Sequence, residues 1–315
     1  MTKNLKYIAL CLLVTLLASA CSSDGADGNE VTNRNEAKKE IGLKTDVWKM
    51  AEATRATTYD NSALVSSGFI CTAYRAETDT DPYIDNKTVS YSNPNWIITG
   101  RPYYWPDYDL DFFAYAPTSG SGITTGPTYS YSGGRQVSFT CTDFPVTSVG
   151  QSSLTEFVYA LAANKNQSNS AGGVELRFQH PFALINLQLA ANHPDVTIHS
   201  ITFQTVKNNG TYSYTGGWYP SGDAANLVWT INQIFNNNTS AQPIGISFLV
   251  IPQIWTGGVI VVNADCLFWG EKKNYPNLTT TVPTNWQPGY SYTYTFSISP
   301  DDLKVGTTSQ FTEQW

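Results

Sequence analysis

The chain has 315 residues, with 18 Lys and Arg against 25 Asp and Glu, five Cys, 13% aromatic and 14% charged residues. At 41% apolar it can build a large core and does not read as a disordered chain. Its acidic balance argues against nucleic acid as a partner, because phosphate binding needs a basic patch. The length implies two domains or one large β unit.

The first residues carry targeting information. Lys3 and Lys6 form a basic start, and residues 8–17 are an almost unbroken apolar run, too short to span a bilayer. Leu17-Ala18-Ser19-Ala20-Cys21 follows and resembles a bacterial lipobox, with the thiol of Cys21 as the acyl acceptor. Residues 1–20 are therefore predicted to be a lipoprotein signal peptide. The leader has two Lys and no acid, so its removal leaves a more acidic protein, held by acyl chains rather than by attraction to anionic headgroups. Residues 21–40 are small and polar and read as a flexible tether. No later stretch reaches the length of a membrane span. With Cys11 and Cys21 accounted for, Cys71, Cys141 and Cys266 remain, an odd number. Each sits in an apolar or β-rich run and reads as a small buried hydrophobe; a Cys71–Cys141 bridge is the alternative.

Downstream, the dominant period is two. Val137, Phe139 and Cys141 alternate with hydroxyl residues; Val174, Leu176 and Phe178 alternate with polar ones; Ile185, Leu187 and Leu189 continue the pattern. At 196–203 the apolar parity slips between Ile198 and Ile201, which predicts a bulge near His199-Ser200. Residues 244–251 and 259–268 are mostly apolar and read as central strands. Tyr290, Tyr292, Tyr294, Phe296 and Ile298 alternate with Ser and Thr. Gly and Pro punctuate these runs. Only residues 154–164 show helical spacing, through Leu154, Phe157, Val158 and Leu161. Many short strands with almost no helix predict an all-β chain of sandwich architecture. The polar, breaker-rich stretch 164–173 suggests a division into domains 41–168 and 169–315.

Chemical motifs are scarce. The three His residues, 180, 193 and 199, lie in no metal-ligand pattern, and there is no phosphate-cradling glycine loop. No cofactor and no metal are expected. His180, before Pro181, reads as a hydrogen-bonded structural residue, and His193 as part of a turn. Asp107, Asp109 and Asp111 alternate and would offer paired carboxylates to a β-sandwich hydrolase or a cation; the plainer reading is a solvated strand edge. Trp105 and Trp218, flanked by Tyr and Pro, could stack on glycans, although packing is the favoured reading.

Four ordered stretches resemble the fimbrillins, the major and minor subunits of Bacteroidales-type type V fimbriae. They are Ile41-Gly42-Leu43-Lys44-Thr45-Asp46-Val47 with Ala53-Thr54-Arg55-Ala56-Thr57; Tyr103-Tyr104-Trp105-Pro106 leading into Leu110-Asp111-Phe112-Phe113-Ala114-Tyr115-Ala116-Pro117; Leu176-Arg177-Phe178-Gln179-His180 with Ile185 and Leu187; and Leu249-Val250-Ile251-Pro252-Gln253 followed by Trp286, Pro288-Gly289 and Ser291-Tyr292.

The resemblance implies two transthyretin-like, Greek-key β-sandwich domains in tandem, exported as an acylated precursor to the outer membrane and built into a fimbrium after processing. It implies a non-enzymatic pilus subunit whose partners are other fimbrillin subunits. It also implies cleavage by an Arg-specific protease, here after Arg55 and before Ala56, removing a first strand whose core residues would be Ile41, Leu43 and Val47. A neighbour's donor strand would then fill the slot; Leu303, Val305, Phe311 and Trp315 are the donor candidates here. The alternative reading is a surface glycan-binding lipoprotein of a polysaccharide-uptake system.

Overall fold

Alternation of apolar and polar side chains marks the strands buried on one face, such as Val174–Phe178, while strands buried on both faces, such as Leu110–Ala116, are near-continuous apolar runs. The computed structural model describes residues 38–47, 59–118, 125–142, 144, 156–281, 284–299 and 302–311. The first ten elements are β1 (Leu43–Val47), α1 (Asn61–Ser67), β2 (Phe69–Arg75), β3 (Ile84–Ser92), β4 (Asn95–Ile98), β5 (Leu110–Ala116), β6 (Thr125–Tyr131), β7 (Arg135–Cys141), β8 (Val158–Lys165) and β9 (Val174–Phe178). There follow β10 (Ala183–Leu189), β11 (Asp195–Ser213), β12 (Gly217–Phe235), β13 (Gln242–Val250), β14 (Ile254–Trp255), β15 (Val259–Phe268), β16 (Glu271–Thr281), β17 (Thr284–Asn285), β18 (Tyr290–Ser299) and β19 (Asp302–Phe311).

The strands form an antiparallel sheet in the order β4-β3-β2-β5-β8 and a separate parallel pair, β1-β9. A four-stranded sheet runs β13-β10-β18-β19, and a larger one runs β16-β15-β11-β7-β6 with β12 also on β11. Apolar side chains gather into three clusters. One holds Ile41, Leu43, Phe69, Phe112, Leu176 and Phe178. A second holds Ile185, Phe203, Trp229, Phe248 and Tyr294. The third draws on both halves of the sequence, joining Phe113, Phe139 and Tyr159 to Phe182, Tyr212 and Leu249.

Several expected strands form where the alternation places them, among them β7, β9, β10, β15 and β18. The parity slip is a bulge: β11 shifts register between Ile198 and Ser200 against both β12 and β15. The helical expectation at 154–164 is corrected. From Val158 that stretch is β8, paired with β5. Val158, Ala160 and Ala162 face one cluster while Tyr159 and Leu161 face another, so burial on both faces erases the two-residue period. The polar run at 164–173 ends β8 at Lys165 and then forms the loop to β9, and β9 packs in the cluster that holds β1. The changeover between the first two clusters falls between Phe178 and Ala183, later than the division drawn at 168/169.

The helix α1 is closed at both ends by its own sequence. Asp60 accepts the Ala63 N–H at 2.8 Å, an N-cap. Gly68 follows with φ of +69°, and a Cβ there would lie 2.3 Å from the Val89 carbonyl oxygen. Gly68→Ala is therefore expected to lower the unfolding free energy by about 1–3 kcal/mol, read from urea denaturation of the folded chain.

Cys71, Cys141 and Cys266 are free and buried, so no Cys71–Cys141 bridge forms. Burial pushes Cys71 and Cys141 up to about 12 and, with Asp265 nearby, Cys266 up to about 11. Because the thiolate is the reactive form, a chain beginning after Cys21 should resist iodoacetamide at pH 8 when native. It should take up three labels in denaturant, counted by mass spectrometry; labelling of the native protein would refute this.

Candidate functional site

Residues 39–47 form a ribbon that changes partners halfway. At its start the Ile41 N–H donates to the Tyr103 carbonyl at 2.7 Å and the Trp105 N–H to the Lys39 carbonyl at 3.0 Å. The chain then crosses to β9: the Val174 N–H donates to the Gly42 carbonyl at 2.8 Å, and Leu43 to Val47 run parallel to Val174 to Phe178. The crossing brings two backbones close. Gly173 has φ of +108°, and a Cβ there would lie 3.3 Å from the carbonyl of Gly42. At the far end Asn61 Oδ1 accepts the Val47 N–H at 3.0 Å, and its Nδ2 donates to Asp46 at 3.2 Å.

The alternation shows in the burial of this strand, with Thr45 and Asp46 both half-buried. Ile41, Leu43 and Val47 are 4%, 7% and 2% exposed, while Lys44 is exposed. They join a cluster in which Phe69 meets Phe178 edge-on at 5.3 Å and Trp96 at 5.1 Å. A groove of about 600 Å³ runs beside Ile41, walled by Trp96, Ile98, Arg101 and Tyr103. The ribbon therefore acts as a plug: backbone bonds set its register, and three aliphatic side chains close an apolar trough. Arg55, Ala56 and Cys21 lie outside the described residues, as does Trp315.

The other strand of interest, β19, lies at the edge of its sheet and pairs antiparallel with β18 along ten residues. Its register sets Leu303 opposite Ile298, Val305 opposite Phe296 and Phe311 opposite Tyr290. Val305 is half-buried against the second cluster.

Apart from Trp218, which is only partly covered, the remaining candidates resolve into structural roles. Trp105 is 2% exposed and set edge-on to Phe112 at 6.1 Å, so its faces are not open to a sugar. Trp218 is half-buried, between Phe182 and Tyr212. His180 is buried, its Nδ1 2.8 Å from Glu156 Oε1, and Glu156 also accepts the Tyr59 N–H. His193 bonds to Gln242 and the Pro194 carbonyl.

The three aspartates do not act together. Asp107 is exposed and 3.8 Å from Lys38, a pair of little energetic weight, and Asp109 accepts from Asn166 at 2.9 Å. Asp111 is buried and ties four segments. Its oxygens accept from Arg135 Nε at 2.8 Å and Nη2 at 3.1 Å, from the Tyr129 hydroxyl at 3.0 Å, and from the N–H groups of Glu77 and Asn164 at 3.1 and 2.8 Å. Together these bonds hold the β6–β7 hairpin and the loop at Glu77 to β5 and β8. Sequence patterning missed this knot because Asp111 and Arg135 are 24 residues apart and share no local motif.

An all-β sandwich chain whose first strand plugs an apolar trough is the class that these features define. Within that class the chain belongs to the fimbrillin-like family, whose profile matches residues 54–315. Solved structures share the fold. A fimbrial protein from Bacteroides vulgatus superposes with a TM-score of 0.63 at 14% identity, covering 87% of this chain and 99% of the other. A candidate cell adhesion protein from Bacteroides ovatus gives 0.51 at 14% identity over 89% and 100%, and one from Bacteroides uniformis gives 0.50 at 14% identity over 87% and 99%. No curated protein matches the chain.

The Asp111 knot carries a pH signature. Burial alone would raise this carboxyl, but the Arg135 guanidinium, two backbone N–H groups and the Tyr129 hydroxyl outweigh it and hold it below the ordinary carboxylate value. A depressed folded-state value means stability that is complete above the unfolded value of about 3.9 and is lost as pH falls through the folded one. Arg135→Ala should cost about 3 kcal/mol at pH 7. Asp111→Asn should flatten the acid limb of a stability-against-pH curve followed by tryptophan fluorescence.

Proposed function

We propose that this chain is a subunit of a cell-surface fimbrium, exported as a lipoprotein and linked to its neighbours by strand exchange. The observation that carries the reading is the plug: a short strand upstream of the family match, paired along β1 with β9 alone and buried through three side chains. The fimbrial protein of Bacteroides vulgatus that shares its fold supports the surface location. In this reading Cys21 is acylated, the segment from there to the ribbon at Lys39 is the tether, and the two sandwich domains change over between Phe178 and Ala183 rather than at 168/169.

Cleavage between Arg55 and Ala56 would release the lipid and the plug together. Three buried aliphatics at about 1.5–3 kcal/mol each make the loss roughly 5–9 kcal/mol of hydrophobic contact. The emptied trough would expose unpaired backbone on β9, a template for strand addition. A neighbour's C-terminal segment, with Leu303, Val305, Phe311 and Trp315, would restore both terms. The uncleaved precursor stays monomeric because its own strand occupies the slot.

Treatment of the folded chain with an Arg-specific protease should yield a fragment beginning at Ala56 by mass spectrometry. That fragment should form a ladder of multimers on size exclusion. Arg55→Ala should remain intact and monomeric, and a chain lacking residues 302–315 should be cleaved without polymerising. A cleaved full-length chain that stays monomeric and keeps its melting temperature would overturn the proposal.

A further inference from the structure

A second groove, of about 630 Å³, lies where four segments of the C-terminal half meet, with Trp218, Trp255 and Trp286 among its walls. Trp255 and Trp286 stack at 5.0 Å with their planes 22° apart. All three indole N–H groups are already used: Trp218 donates to the Pro181 carbonyl at 2.5 Å, Trp255 to the Gln204 carbonyl at 2.9 Å and Trp286 to the Tyr294 hydroxyl at 3.0 Å. Trp255 and Trp286 are 2% and 1% exposed, so the aromatic surface left for a ligand is that of half-buried Trp218.

The frame of the groove is rigid. Gln253 accepts the Lys207 N–H at 3.0 Å and donates to the carbonyls of Lys207 and Ile251 at 2.8 and 3.0 Å, which locks β11 to the loop before β14. The Trp286 N–H donates to the Gln253 carbonyl at 3.0 Å. The Tyr292 hydroxyl accepts the Gln287 N–H and donates to the Asn285 carbonyl, both at 2.9 Å. With the backbone so held, the side chains of Asn285 and Gln287 stand on the solvent side of buried Trp286, and both are exposed.

The chemistry of the walls selects a ligand. Among the described residues no carboxylate lines the groove and its one cation is Lys207, so it suits neither a metal ion nor a polyphosphate. Its lining mixes Ile254 and three prolines with the amides of Gln253, Asn285 and Gln287 and the hydroxyls of Thr205 and Thr256, polar groups that a purely apolar ligand would leave unpaired. Side-chain amides that both donate and accept, set beside aromatic surface, match a molecule with hydroxyls on its edge and C–H groups on its face. We infer that this groove binds a saccharide, with Asn285 and Gln287 pairing its hydroxyls and Trp218 receiving its apolar face. The site lies apart from β1 and needs no cleavage or assembly.

The uncleaved, monomeric chain beginning after Cys21 is titrated with mannan, chito-oligosaccharides, galacto-oligosaccharides and sialyllactose, read by tryptophan fluorescence and by saturation-transfer NMR. At least one should perturb the groove tryptophans. The double variant Asn285→Ala with Gln287→Ala, both exposed positions, should keep the native melting temperature and bind about tenfold more weakly. Tyr219→Ala, exposed outside the groove, should bind as the unmodified chain does. Absence of any response across the panel, or equal affinity in the double variant, would overturn the inference. So would a response to extended peptides alone.

Discussion

The main chain of residues 39–47 is the constraint around which the N-terminal half is organised. Without this ribbon, the apolar trough that holds Phe69, Trp96 and Phe178 would face water. The ribbon is held by two kinds of bond with different partners: antiparallel contacts to Tyr103 and Trp105 at its start, and a parallel ladder to β9 beyond Gly42. Neither set is long. A strand that is well buried yet lightly laddered combines a large hydrophobic contribution with few hydrogen bonds.

Much of this was legible before any coordinates. Where a strand buries one face, alternation names it, as at Val174, Leu176 and Phe178 or along Tyr290 to Ile298, and a parity slip even locates the bulge in β11. Where a strand buries both faces the signal disappears. In β8 the run Val158 to Leu161 has apolar residues on both sides and reads as a helix, although its pairing with β5 makes it a strand. The helix α1 is written plainly in its caps, Asp60 and Gly68, but it is too short to show a period.

The candidate sites divide in the same way. That Ile41, Leu43 and Val47 point inward follows from their spacing. That they lie parallel to β9 does not, because edge pairing is settled by the path of the whole chain. The Asp111–Arg135 knot and the Gln253 clamp depend on residues far apart in sequence. Trp218 drew attention as a flanked aromatic, but only the fold brings it beside Trp255 and Trp286.

The pairing of β7 with β11, Cys141 to Ser138 against Gly210 to Ser213, continues one sheet from the first half of the chain into the second. Together with the aromatic cluster that both halves share, it leaves little freedom for a swivel between them. Tension applied across such a body would act on the β7–β11 pairing and the shared aromatic cluster together. A molecule built in this way transmits a pull with little give.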